Sequence, residues 1–293
     1  MGRLANWLEA NRPLRIAAIA GLFPLPLLAV ASAALLTAVV LGQGWRTATQ
    51  DALLAAAVLS AAAGLAGLNW AALLAAAAVT WALAILAAHL RSAWSLNLAV
   101  QLVIVLAVTG TGAVGLLQND MQSFWESTLA GVGKAAQQSG LTVLPPELLP
   151  SAAALMTGIL AASIVASSVC ALFLGCWVAE RHDDAAFATE FRQLRMGRLL
   201  GFVAVGLAAL MVAGIRGIAD DALIVLAAGF VLQGLAVVHW QAAARSWPAT
   251  WALALYLPLL IVPTAGVFLL LVLGLAGVLD NGFDLRRTQA SVV

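Results

Sequence analysis

The chain has 293 residues, 63% of them hydrophobic and only 9% charged, with a net charge of +1. Soluble domains carry about 25% charged residues, so this composition excludes a water-soluble globular protein and makes the chain an integral membrane protein. The near-zero net charge also excludes nucleic-acid binding, which needs a basic face for phosphate contacts.

A bilayer core of about 30 Å needs about 20 apolar residues per helix. Eight hydrophobic segments meet or approach that length: 14–42, 51–68, 70–90, 95–117, 152–179, 198–215, 221–243 and 250–279. The expected fold is an all-α polytopic transmembrane bundle forming one membrane domain over 1–293, with its first and last segments broken by proline. Trp45, Trp70, Trp94, Trp177, Trp240, Trp247 and Trp251 stand at segment ends, as amphipathic indoles do at membrane interfaces. Trp81 falls inside its segment and reads as packing.

The first segment follows Arg3, Arg12 and Arg15, and Ala31-Ser32-Ala33 imitates a signal-peptide cleavage site. The apolar run continues past it through LLTAVVLG, so an uncleaved segment is expected. Pro24 and Pro26 interrupt it. In the fourth segment, Asn97 and Gln101 share a face at i, i+4. Residues 118–150 then form a long polar connection. Ser123 to Glu126 fits a capping box, and Met121, Phe124, Trp125, Leu129 and Val132 form an apolar stripe. An amphipathic helix on the outer membrane face is predicted, ended by Gly140 and Pro145-Pro146. It either caps the bundle or forms a lid over an outward cavity.

Cys170 and Cys176 lie about 9 Å and 120° apart on one helix and cannot bridge each other. Residues 181–198 suit a cytoplasmic amphipathic helix, with Asp183 and Asp184 at its start and Arg192, Arg195 and Arg198 at its end. Phe187, Phe191 and Leu194 share its apolar face. Its arginines reach lipid phosphates or dock a cytoplasmic partner. Arg216 and Asp220 flank an outer turn, a structural pairing by this reading. In the seventh segment Gln233 lies about 18 Å along the helix from Asp221, and His239 stands near the other end. An amide in lipid must find a partner, so Gln233 faces protein, either as interhelical glue or as cavity lining. The last segment carries Pro258 and Pro263.

Arginine and lysine in the connections set orientation. Between residues 43 and 249, one side receives Arg46, Arg91, Arg181, Arg192, Arg195, Arg198 and Arg245; the other receives Lys134 and Arg216. The richer side is expected to be cytoplasmic. The two terminal segments, of 29 and 30 residues, are long for one crossing and short for two. If each crosses once, the basic count is seven against seven; if each doubles back, it is twelve against two with cytoplasmic termini. The charge rule favours doubling back, and helix tilt permits single crossings.

No nucleotide loop is encoded, because Lys134 is the only lysine and lacks the Ser or Thr that a Walker loop places after it. No nucleophile–base pair, metal-ligand motif or cofactor motif is present, and His182-Asp183-Asp184 diverge on a helix. No catalytic residue, metal or cofactor is assigned.

Three motifs occur in order: Phe187 with Glu190 to Arg198, Leu232-Gln233-Gly234 to His239, and Leu279-Asp280-Asn281-Gly282-Phe283-Asp284-Leu285-Arg286-Arg287. With Leu90-Arg91-Ser92 they resemble the YybS-like family of bacterial polytopic inner-membrane proteins, a domain-of-unknown-function family, over nearly the whole chain. Gly282 departs from the bulky residue of that pattern. More remotely, the family is similar to the substrate-binding membrane components of energy-coupling-factor transporters. The resemblance implies a non-enzymatic inner-membrane protein that binds or passes a small solute and is powered by a separate ATP-driven module. Gln101, Gln233 and His239 are then the candidate cavity residues. The alternative is a scaffold that docks a cytoplasmic protein through Phe191, Arg192, Arg195, Arg198, Asp280, Asp284 and Arg286.

Overall fold

The computed structural model describes residues 10–25, 28–67, 70–117, 120–140, 145–179 and 184–286. Arg3, Pro26, Arg181, His182, Asp183 and Arg287 lie outside these. The described residues form thirteen α-helices and no strand: α1 (Arg12–Leu22), α2 (Ala29–Gln43), α3 (Trp45–Leu65), α4 (Trp70–Ala93), α5 (Leu96–Leu117), α6 (Met121–Gln138), α7 (Leu149–Ala153), α8 (Met156–Ala179), α9 (Asp184–Arg192), α10 (Gly197–Val212), α11 (Ile218–Ala244), α12 (Trp251–Ile261) and α13 (Pro263–Phe283). A 3-10 turn at Pro146–Leu148 precedes α7. Among the described residues six helices are long and apolar enough to cross a membrane, or seven if α9 and α10 count as one broken span. Their outward faces carry side chains such as Leu53, Phe202 and Phe268. A surface this apolar suits lipid rather than water, and the chain is a multi-pass helical membrane protein.

Contacts divide the chain into two compact units, Met1–Val103 with Ile164–Arg195, and Ile104–Ser163 with Met196–Val293. The boundaries fall within α5, within α8 and between α9 and α10, where the sequence reads as one continuous domain.

In the first unit the opening segment doubles back. Arg12 and Arg15, at the start of α1, donate to opposite oxygens of Asp51 at 2.8 Å each, and Asp51 lies two turns into α3. Because α3 follows α2 directly after Gly44, held at φ 90°, the start of α1 and the end of α2 share one end of the unit. Deeper in, the Ser32 hydroxyl donates to the Ile19 carbonyl and joins the two arms. At 11 and 15 residues, these helices are about 17 and 23 Å long, short of a bilayer core. Trp81 is buried as expected; its indole N–H donates to Ser32 Oγ and its ring meets Phe23 edge-on. Gly175 lets α8 lie on α2, since a Cβ there would stand 2.4 Å from Thr37. The Arg12–Asp51 end also holds Arg46, Arg91 bonded to Glu190, and Arg195 bonded through its N–H to Asn97.

In the second unit α11 and α13 cross in close contact. A Cβ on Gly234 would lie 1.9 Å from the Leu273 carbonyl oxygen, and one on Gly277 would lie 2.0 Å from that of Phe230. Such glycines let two membrane helices touch backbone to backbone. Gln241, near the end of α11, donates to the Leu285 carbonyl just beyond the end of α13. The two helices therefore finish at the same end, and α12 carries the chain back between them. The return turns at Val262, extended as the residue before a proline tends to be, and Gly266 lies against Leu259. The last hydrophobic segment thus also doubles back. Arg245 and Arg286 stand at the end where α11 and α13 finish, with Arg198 at the start of α10; Arg216 and Lys134 stand at the other.

Two local readings are corrected. The cap of α6 is Asp120, whose carboxylate accepts from Ser123 N–H at 3.2 Å, while Glu126 accepts from Gln122 instead of closing a capping box on Ser123. Aspartate is as good a cap as serine, and one turn earlier it also captures the Met121–Gln122 turn. Helix α9 ends at Arg192, short of the 181–198 helix read from sequence, and residues 193–196 turn the chain into α10.

Candidate solute-binding site

Gln233 is fully buried. Its Oε1 accepts from Met196 N–H at 2.8 Å, and its Nε2 donates to Asp280 at 2.7 Å and Asn281 at 3.0 Å. Asn281 in turn donates to the Gly197 carbonyl, so one amide ties α11 and α13 to the first turn of α10. Asp280 is buried against Arg286, whose Nη2 donates to it at 2.6 Å. Asp284 permits this return: it ends α13 at φ 48°, a left-handed conformation that aspartate adopts more readily than most residues, and turns the chain so that Arg286 faces Asp280. The knot is built so that no donor or acceptor of the glutamine is left over, which is what a buried amide in lipid demands.

The other sequence candidates are distributed as follows. In the first unit Gln101 donates to the Arg195 carbonyl at 2.8 Å, and Asn97 accepts from the N–H of that same residue. Phe191 packs edge-on against Phe173, and Arg192 lies half-buried in the last turn of α9. In the second unit, half-buried His239 meets the Tyr256 hydroxyl at 2.8 Å through Nε2 and the Trp251 ring edge-on. Arg198 is exposed and lines a groove of about 450 Å³ with Phe202, Leu279 and Phe283. The residues read from sequence as cavity lining or docking surface are thus mostly bonded within their own unit.

A polar cavity of about 600 Å³ opens elsewhere in the second unit, at the end that carries Arg216. Met121, Gln122 and Trp125 of α6 form one wall; Gly115, Ser151, Ala153 to Leu155, Thr157, Arg216 to Ile218, Asp220 and Asp221 form the rest. Trp125 is fixed by its indole N–H, which donates to Thr157 Oγ1 at 2.8 Å. Asp221 is held by Gly158, whose backbone N–H donates to Oδ1 at 2.7 Å. That N–H belongs to the first turn of α8, where no helical acceptor exists. Gly158 is needed there, because a Cβ would stand 2.7 Å from the Asp221 Cα. Asp220 accepts from Gly217 N–H at 3.3 Å through Oδ2, while its buried Oδ1 has no hydrogen-bond partner. Arg216 Nη1 lies 3.9 Å from that oxygen.

From sequence, Asp220 reads as a structural partner of Arg216 at an outer turn and Asp221 as no site residue, because a neighbouring opposite charge is by itself enough to account for an acid at a helix start. The available signal was the apolar stripe of α6 read as a lid. Among the described residues no group of three His, Cys, Asp or Glu is arranged to hold a metal ion. Compared with known proteins, the chain matches no family model, no curated protein and no solved structure. Fold and site together define a polytopic helical membrane protein with a polar cavity at one end of its second unit.

Proposed function

We propose that this protein is a non-enzymatic, multi-pass protein of the bacterial inner membrane that binds a small solute in the cavity beneath α6, as the membrane component of a transporter. The observation that carries this reading is the cavity itself. At about 600 Å³ it falls in the range of small-molecule sites, roughly 300–1,000 Å³. It combines apolar walls with a few fixed polar groups, as such sites do. The bundle end that holds it is poor in basic residues, which the charge rule assigns to the outside. Energy would come from a separate ATP-driven protein, since the chain encodes no nucleotide loop.

Native mass spectrometry of the detergent-purified protein tests the proposal. The wild-type chain is expected to retain a non-covalent small-molecule mass, and Ala154→Trp, which fills the cavity, is expected to lose it. A wild-type protein with no retained mass, or a variant that keeps it, overturns the reading. The scaffold alternative has less support: Phe191 packs against Phe173, and Asp280 is buried with Arg286, which leaves Arg195 and Arg198 as the exposed members of the expected docking set.

A further inference from the structure

We infer that the solute is an organic cation, an ammonium group on an apolar or aromatic body, whose charged head meets Asp220 and Asp221; this rests on the cavity being a solute site. Two carboxylates face one guanidinium around the cavity, which leaves it an excess negative charge. Asp220 is 8% exposed, and its Oδ1 takes no hydrogen bond. Arg216 Nη1, at 3.9 Å, stands outside hydrogen-bond range. The Arg216 side chain is 67% exposed and has room to turn into solvent. Asp221 uses Oδ1 on Gly158, and among the described residues no hydrogen bond reaches its Oδ2.

A buried acceptor left unmade is the costly case. What these oxygens lack is a cluster of N–H donors bearing positive charge, and an ammonium supplies up to three. An anion or a second acceptor would meet two carboxylates. A bare divalent ion would want more oxygen ligands than the described residues bring together. The remaining lining suits the body of such a molecule. Met121, Leu155 and Ile218 are apolar, and the Trp125 ring, pinned through Thr157, offers a face to a cation.

Three probes with one aromatic body and different heads test the inference: phenethylammonium, phenylacetate and 2-phenylethanol. Binding is read by isothermal titration calorimetry on the full chain in detergent. Phenethylammonium is expected to bind about tenfold or more tighter than the other two, the scale of one charge-assisted hydrogen bond. Asp221→Asn should weaken it by a similar factor. Because an aspartate variant can misfold, Arg216→Gln on the exposed side supplies an independent sign. Removing a competing cation should tighten phenethylammonium and weaken any anion. Equal or tighter binding of phenylacetate or phenylethanol, or weaker phenethylammonium binding in Arg216→Gln, overturns the cation assignment while the solute site stands. No saturable binding by any probe also overturns it, and the solute site is then decided separately by the retained mass in wild-type and Ala154→Trp protein.

Discussion

Asp51 shows how a single carboxylate can hold a membrane hairpin together. It is fully buried and receives both Arg12 and Arg15, the latter only 1% exposed. Removing one member of a buried ion pair strands the other charge, at a typical loss of about 3–5 kcal/mol. Asp51→Ala is therefore expected to lower the unfolding midpoint in detergent sharply. Asp51→Leu with Arg15→Met, which removes both buried charges, should recover much of the loss. A double variant as unstable as the single one would show that the pair acts through something other than stranded charge. Gln233 follows similar logic with a neutral group. Gln233→Ala leaves Met196 N–H without its acceptor, at about 1–3 kcal/mol for each unsatisfied group. Thermal unfolding monitored by size-exclusion chromatography should register the loss, and an unchanged midpoint would contradict the glue role. From sequence, a lone glutamine in an apolar run announces that a partner exists. Asp280 and Asn281, 47 and 48 residues away, are supplied only by folding.

At the scale of elements, the α11–α13 crossing depends on two missing side chains. Gly234→Ala or Gly277→Ala would drive a methyl into a carbonyl, so the helices must separate and the packing around Leu273 and Phe230 must loosen. Gly110→Ala is the matching control, because nothing lies within 4 Å of a Cβ there; in a helix it should be neutral or mildly stabilising. The expected order of thermal stability is Gly110→Ala at or above wild type and both crossing variants clearly below it. The cap of α6 adds a pH-dependent element. The Ser123 hydroxyl and N–H hold the exposed Asp120 carboxylate below its ordinary pKa. A carboxylate lowered in the folded state stabilises above its unfolded pKa, about 3.9, and that contribution is lost as pH falls through the folded value. Hydrogen exchange at the first-turn amides of α6 should accelerate in that acid window in wild type. In Asp120→Asn, which caps without titrating, the acceleration should be absent.

At the scale of the whole molecule, both terminal segments double back, so each returns the chain to the end from which it set out. In the second unit Arg198, Arg245 and Arg286 gather at one end, with Arg216 and Lys134 at the other, and the charge rule expects the basic end in the cytoplasm. In a background with Cys170 and Cys176 replaced by alanine, an impermeant maleimide applied to intact cells should label Gln137→Cys and spare Ala249→Cys. The reverse pattern would invert the orientation. The sequence by itself determined the solvent in which this protein folds, the rough bounds of its apolar segments, and the end of α6 at Gly140. These follow from local hydrophobicity, helix propensity and glycine conformation, all read within one segment. Only the tertiary structure decided that the terminal segments return, which atoms satisfy Gln233, and that Asp220 and Asp221 face a cavity beneath α6. Each of these depends on contacts between residues far apart in the chain, where a polar group's need for a partner is written locally but the partner is not.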